Sequence, residues 1–190
     1  MKMFEEIYAF SRMAEGNGTE AHPLCTATAE ELKVFIPPVM ALAHGSRVVE
    51  IGTYTGRSTS VYFQVQQDLN LDIHVIDLLM WNPKHAAHHF WDMVVDNFNE
   101  CPFTYHKMPT NRIAATWNLP IDFLYIDGWH DAPQVDEDFE NWIPFLKSGG
   151  VLALHDSDYP GVASCIDRFV KGAGFELIAA AERMTMWRKV

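Results

Sequence analysis

The segment Val48-Val49-Glu50-Ile51-Gly52-Thr53-Tyr54-Thr55-Gly56-Arg57-Ser58-Thr59 constrains the fold of this chain more than any other. An apolar run ends in an acid, two glycines follow four residues apart, and small hydroxyl residues open a helical pattern. A buried parallel strand delivers its carboxyl end to a ligand in this way, with glycine where the backbone must come close. Gly52 and Gly56 leave no room for the first G-x-G pair of the dinucleotide fingerprint, which counts against a nicotinamide cofactor.

From Arg47 onward, short apolar runs alternate with amphipathic stretches. The pattern predicts strands over 47–51, 72–76, 103–107, 121–126, 150–154, 175–180 and 184–188, with helices that include 58–69, 83–99 and 131–146. Such alternation implies a parallel sheet with right-handed crossovers. The last two strands are joined by too few residues for a crossover, so they must pair antiparallel. Upstream, Phe4, Ile7, Tyr8 and Met13 fall at helical spacing over 3–14. Thr28 and Glu31 read as a capping box opening a helix through residue 36. Pro37-Pro38 is expected to break or restart that helix, and Gly45 to close the prelude as a C-cap.

The expectation is one α/β domain of 190 residues: a helical cap over 1–45 and a Rossmann-like core over 46–190. Its sheet has seven strands, mostly parallel with an antiparallel terminal strand, and carries helices on both faces. The 14 basic residues face 25 acidic ones, and a net charge of −11 argues against a sequence-independent grip on nucleic acid. No apolar run approaches membrane-spanning length, so neither nucleic acid nor membrane is an expected partner. Cys25, Cys101 and Cys165 are odd in number and widely spaced. They suggest no disulfide framework or structural zinc, and a reducing cytoplasm is the expected location.

Ligands of open α/β sheets lie beyond the carboxyl ends of the strands. There, the loop from Gly52 to Gly56 leads into a helix N-terminus suited to a carboxylate. Asp77, ending the second strand, can accept both hydroxyls of a ribose. Asp127-Gly128-Trp129-His130 and His155-Asp156 end two neighbouring strands and bring Asp127, His130, His155 and Asp156 to the same edge.

The Glu50–Ser58 segment resembles the first motif of class I S-adenosylmethionine (SAM)-dependent methyltransferases. That resemblance implies SAM as cofactor, held by Glu50, Gly52, Thr53, Tyr54, Gly56, Ser58, Asp77 and Asp127. It places the adenine near Lys107–Thr110, where many such enzymes carry an acid; here Met108 could wall the base. The D-G-x-H motif, the acidic Trp-containing helix after it, G-G-V and H-D together resemble a bacterial methyltransferase family that includes sugar-hydroxyl O-methyltransferases. The resemblance runs over about residues 47–158.

Metal-dependent relatives of the catechol type imply a divalent cation at Asp127, His155 and Asp156, magnesium, manganese or another. His155 stands where those enzymes carry an acid, and imidazole suits manganese, iron or zinc better than magnesium. His130 lies where they place a lysine near the substrate hydroxyl, which makes His130, with Asp127, the expected catalytic pair.

The expected activity is methylation of a hydroxyl on a small acceptor: a sugar, a natural product or a phenol. A metal-dependent hydrolase or hydroxylase-like protein on the same sheet, and a SAM-binding module without turnover, are the alternatives. The acceptor site should be open and shallow, partly closed by the prelude or by a second copy of the chain. His85, His88 and His89 read as one helix face rather than a metal site. Trp81 and Trp129 follow strand ends and could line the pocket, whereas Trp142 and Trp187 read as packing residues.

Overall fold

The computed structural model describes residues 27–54, 56–78 and 101–190, together with Glu6 and Asp96. The helices expected over 3–14 and 83–99 fall almost wholly outside the described residues, as do Cys25, Thr55, Trp81, His85, His88 and His89.

Seven strands form one sheet: β1 (Arg47–Ile51), β2 (Asp72–Ile76), β3 (Thr104–His106), β4 (Ile121–Ile126), β5 (Leu146–Leu154), β6 (Phe175–Ala181) and β7 (Met184–Lys189). Their order is β3-β2-β1-β4-β5-β7-β6. The pairs from β3 to β5 are parallel, and β7 runs antiparallel between β5 and β6. The order reverses between β1 and β4, which opens a crevice at their carboxyl ends.

The central strands β1 and β4 are buried almost throughout because both faces of the sheet are covered there. Helices α1 (Ala29–Met40) and α2 (Arg57–Leu69) pack on one face, where Leu32, Phe35, Val39 and Tyr62 meet Val48, Phe123, Tyr125 and Ala153. On the other face, α4 (Gln134–Trp142) and α5 (Pro160–Cys165) bring Val135, Phe139, Trp142 and Val162 against Val49, Ile51, Leu124 and Leu154. The short α3 (Thr110–Ala114) packs against α4. Trp142 and Trp187 are buried, as expected of packing residues. Cys101 and Cys165 are buried and free.

Two details of the prelude differ from expectation. Helix α1 does not break at Pro37-Pro38 but carries both prolines through to Met40. They sit in its last turns, where Phe35, Ile36 and Val39 are buried and hold the helix in place. Its C-cap is Ala41, while Gly45, at φ +79°, shapes the turn entering β1 and donates its N–H to Leu69. The capping box is present as read: the Thr28 hydroxyl accepts from Glu31 N–H at 3.2 Å, and the Glu31 carboxylate accepts from Thr28 N–H at 2.7 Å.

Candidate active site at the carboxyl edge of the sheet

Alternation along β1 sends Val49 and Ile51 to the α4 side and Glu50 to the α2 side. Glu50 is fully buried there. One carboxylate oxygen accepts from the Ser58 hydroxyl and the other from the Thr59 hydroxyl at 2.5 Å. Glu50 and Ser58 therefore lie beneath the loop rather than on its surface, and they anchor the start of α2 to β1. Burial pushes the Glu50 carboxyl up to about 8 against the pull of the two hydroxyls, so it is mostly protonated at pH 7.

A folded-state pKa above the unfolded one gives stability that is complete below the unfolded value, near 4.5, and declines as pH rises toward 8. Glu50→Gln keeps a neutral group of the same shape. Thermal melts of the variant should therefore lose less stability than wild type between about pH 5 and 8. Parallel melting curves would contradict the assignment.

Gly52 has φ +81°, and a Cβ there would lie 2.2 Å from the carbonyl oxygen of Asp127. Only glycine lets the β1 turn touch the β4 turn. Above it, the Asp77 carboxylate at the end of β2 accepts the N–H groups of Thr53 at 2.8 Å and Tyr54 at 3.1 Å. Asp77 thus shapes the loop at the place expected for a ribose. Gly56, at φ +78°, starts α2. Met108 is exposed beside the end of β3.

The other half of the edge is a charged cluster. His155 follows β5 on the α1 side and is 2 % exposed. Its Nδ1 lies 3.1 Å from Asp127 and 3.2 Å from Asp156, and its Nε2 lies 3.1 Å from Glu31 of α1. Burial alone would lower its pKa, but the three carboxylates outweigh burial and carry it up to about 12. With these partners His155 is held as an imidazolium with both nitrogens donating. One of the partners, Glu31, comes from a distant helix.

Asp127 also accepts from the Tyr125 hydroxyl at 2.9 Å. Asp156, at φ +48°, accepts from the Arg183 guanidinium at the turn between β6 and β7. Although burial opposes it, contact with His130 and His155 holds the Asp156 carboxyl well below the usual carboxylate range. Nε2 of His130 lies 3.0 Å from Oδ2 of Asp156, yet off the line of a hydrogen bond, so this buried nitrogen has no hydrogen-bond partner among the described residues. The same contact raises the His130 pKa, against a smaller opposing effect of burial. The Tyr159 ring packs 5.3 Å from the His130 ring. A Cβ on Gly161 would lie 2.1 Å from the His130 carbonyl, so α5 supports the His130 backbone directly. Trp129 is 63 % exposed beside His130.

For a divalent cation, the donor set that fits among the described residues is Asp127, His130 and Asp156, each offering one atom within 4.8 Å of the others. The structure thus brings Asp127, His130 and Asp156 together, with His155 against the same two aspartates. Sequence reasoning missed Glu31, visible only as a helix cap, and Arg183, which nothing local marks. Among the described residues, no helix is long and apolar enough to cross a membrane.

Comparison with known proteins agrees with this fold. Among curated proteins, the chain is 28 % identical over 120 residues to y4gI of Sinorhizobium fredii, a match covering 59 % of this chain and 13 % of that protein. The chain thus spans about an eighth of the length of that relative. Among solved structures, the methyltransferase PaMTH1 of Podospora anserina, bound to S-adenosylhomocysteine (SAH), superposes with a TM-score of 0.65 at 14 % identity. The match covers 98 % of this chain and 87 % of that one. CalS11, a TDP-rhamnose 3′-O-methyltransferase of calicheamicin biosynthesis, gives 0.64 at 12 % identity, covering 97 % and 93 %. At these identities the likeness concerns the fold. The methyltransferase domain family matches residues 49–157, from β1 through both strand-end motifs to the turn after β5. More than half of the chain, including the loop over Glu50 and the His130–Asp156 pair, is thereby accounted for, and the chain belongs to the methyltransferase domain family.

Proposed function

We propose that this chain is a SAM-dependent O-methyltransferase acting on a hydroxyl of a small molecule. The observation that carries the reading is the juxtaposition at one sheet edge of two unlike halves. One half is the Asp77-pinned loop at Thr53 and Tyr54. The other is His130 beside Asp156, with a buried ring nitrogen that has no hydrogen-bond partner among the described residues. The first suits a nucleoside with a carboxylate tail; the second suits a hydroxyl that must lose a proton. The SAH described for PaMTH1 and the 3′-O-methylation described for CalS11 support each half.

SAM, when bound, supplies a methyl group on a sulfonium that leaves as a neutral thioether. The protein's share is alignment and one proton. Asp77 holds the Thr53 and Tyr54 amides in place, and Glu50 anchors the helix that follows. His130 Nε2 takes the acceptor's proton, and the Asp156 carboxylate beside it stabilises the resulting imidazolium. Tyr159 and Gly161 keep the ring and its backbone in position. The net charge of −11 supports a small acceptor rather than nucleic acid.

The compact set of Asp127, His130 and Asp156 favours a second reading, in which a divalent ion held there lowers the pKa of the acceptor hydroxyl. Calorimetric titration with SAH, and methyl-transfer assays on sugar and phenolic acceptors with and without EDTA, test both. Transfer that survives EDTA supports His130 acting alone. Loss restored by manganese or magnesium supports the second reading. A folded protein that binds no SAH overturns both.

A further inference from the structure

His74 stands in the middle of β2 and His106 ends β3, and the proposed reaction uses neither. Nδ1 of His74 and Nε2 of His106 lie 3.0 Å apart. The rings are 15° from parallel, and their centroids are 5.3 Å apart, the nitrogen separation plus the two ring radii. The two nitrogens therefore point straight at each other. One proton fits between them, whereas a metal ion held from both sides would need them about 4 Å apart. The second nitrogen of His74, Nε2, lies 3.2 Å from Oδ1 of Asp72, and Oδ2 of Asp72 accepts from Arg47 Nε at 2.7 Å. Asp72 favours a proton on Nε2, so Nδ1 accepts and His106 donates.

What this bond holds is an edge. β3 has only three residues, and among the described residues β2 is its one neighbour in the sheet. Its last two residues nonetheless grip the backbone of Asp77. The His106 carbonyl accepts the Asp77 N–H at 3.3 Å, and the Tyr105 hydroxyl donates to the Asp77 carbonyl at 2.9 Å. Asp77 is the residue that pins the Thr53 and Tyr54 amides. The imidazole pair thus fastens β3, and β3 fastens the base of the loop.

The pair closes only while a lone pair remains between the rings. Among the described residues, the charged groups facing His74 are Asp72 and Arg47, and the Trp117 ring, 4.8 Å away, covers it without adding charge. Burial, aided by His106 and Arg47, lowers the His74 pKa against the pull of Asp72. Burial also lowers that of His106. Both rings are therefore neutral at pH 7 in the closed form. The closed form binds fewer protons than an open one, so its stability is complete above the ordinary 6.5 and declines as pH falls through the lowered values.

Resting on the SAM reading, we propose that His74 and His106 are positioning residues for the cofactor. Their shared proton clasps β3 to β2 and so holds Asp77 in place, and acid opens the clasp.

Calorimetric titration of the full chain with SAH at about pH 7.5 and about pH 5, in wild type and in His106→Gln, reads this coupling. The Gln amide donates to neutral His74 or, turned over, accepts from protonated His74, and it takes up no proton itself. Wild type is expected to lose roughly three- to tenfold more SAH affinity on acidification than the variant, the net worth of one hydrogen bond. Groups elsewhere, His130 included, titrate alike in both proteins and cancel from the comparison. Equal losses, as a merely structural role would give, overturn the clasp while SAH binding stands. A folded wild type that binds no SAH at the higher pH overturns the cofactor reading and the positioning role with it. Ring titration of wild type by NMR needs neither the ligand nor a folded variant. Both rings should titrate below 6.5, and either one titrating at or above that value overturns the clasp.

Discussion

His130→Ala is expected to lower kcat for methyl transfer by roughly two to four orders of magnitude, the range for loss of a positioned general base. SAH affinity should stay near wild type, because Asp77, Thr53 and Tyr54 are untouched. The pH profile gives an independent check. The neighbourhood of Asp156 raises the His130 pKa above its ordinary 6.5, so the ring is protonated below that raised value and cannot take a proton. The wild-type rate should climb as pH rises through it, and the limb should vanish in the alanine variant. A variant with wild-type kcat, or an unchanged limb, would assign the proton to another group.

Glu31→Ala is expected to cost about 3–5 kcal/mol of folding stability, the scale for removing one partner of a buried ion pair. Glu31 is fully buried and closes three contacts at once: the capping box of α1, the His155 ring and the backbone N–H of Arg183. Its removal leaves the His155 imidazolium with one carboxylate fewer and α1 without half its cap. Burial works against ionisation of Glu31, but His155 and the two N–H groups outweigh it and lower its pKa. Its contribution is therefore present above the unfolded value of 4.5 and fades as pH falls through the lowered folded value. Chemical denaturation of wild type and variant should diverge at pH 7 and converge in acid. Equal midpoints at pH 7 would show that α1 does not brace the site.

The core of the fold was legible because strand and helix periods are written locally. The expected strands at 47–51, 72–76 and 121–126 coincide with β1, β2 and β4. Boundaries slipped where the local signal was weak: β5 already begins at Leu146, ahead of the glycines expected to open it, and β3 is shorter than expected. The edge residues Asp77, Asp127, His130 and Asp156 were legible because an acid or histidine ending an apolar run is conspicuous. The role of His155 was not. Resemblance to metal-dependent relatives implied a ligand there, and nothing local shows that its ring also faces Glu31. Nothing in a capping-box pattern says that the same carboxylate also faces a histidine 124 residues away.

The contact between the Glu31 carboxylate and the Arg183 amide joins positions 152 residues apart, and the neighbouring Thr28–Glu182 contact joins positions 154 apart. Closing so long a loop is entropically unfavourable until the intervening sheet already holds its ends together. These contacts tie α1 to the turn between β6 and β7, so the charged cluster is complete only when both are in place. Without the turn between β6 and β7, Asp156 would lack Arg183, while His155 would still face Glu31 of α1. The charged edge is thus tied to completion of the tertiary structure.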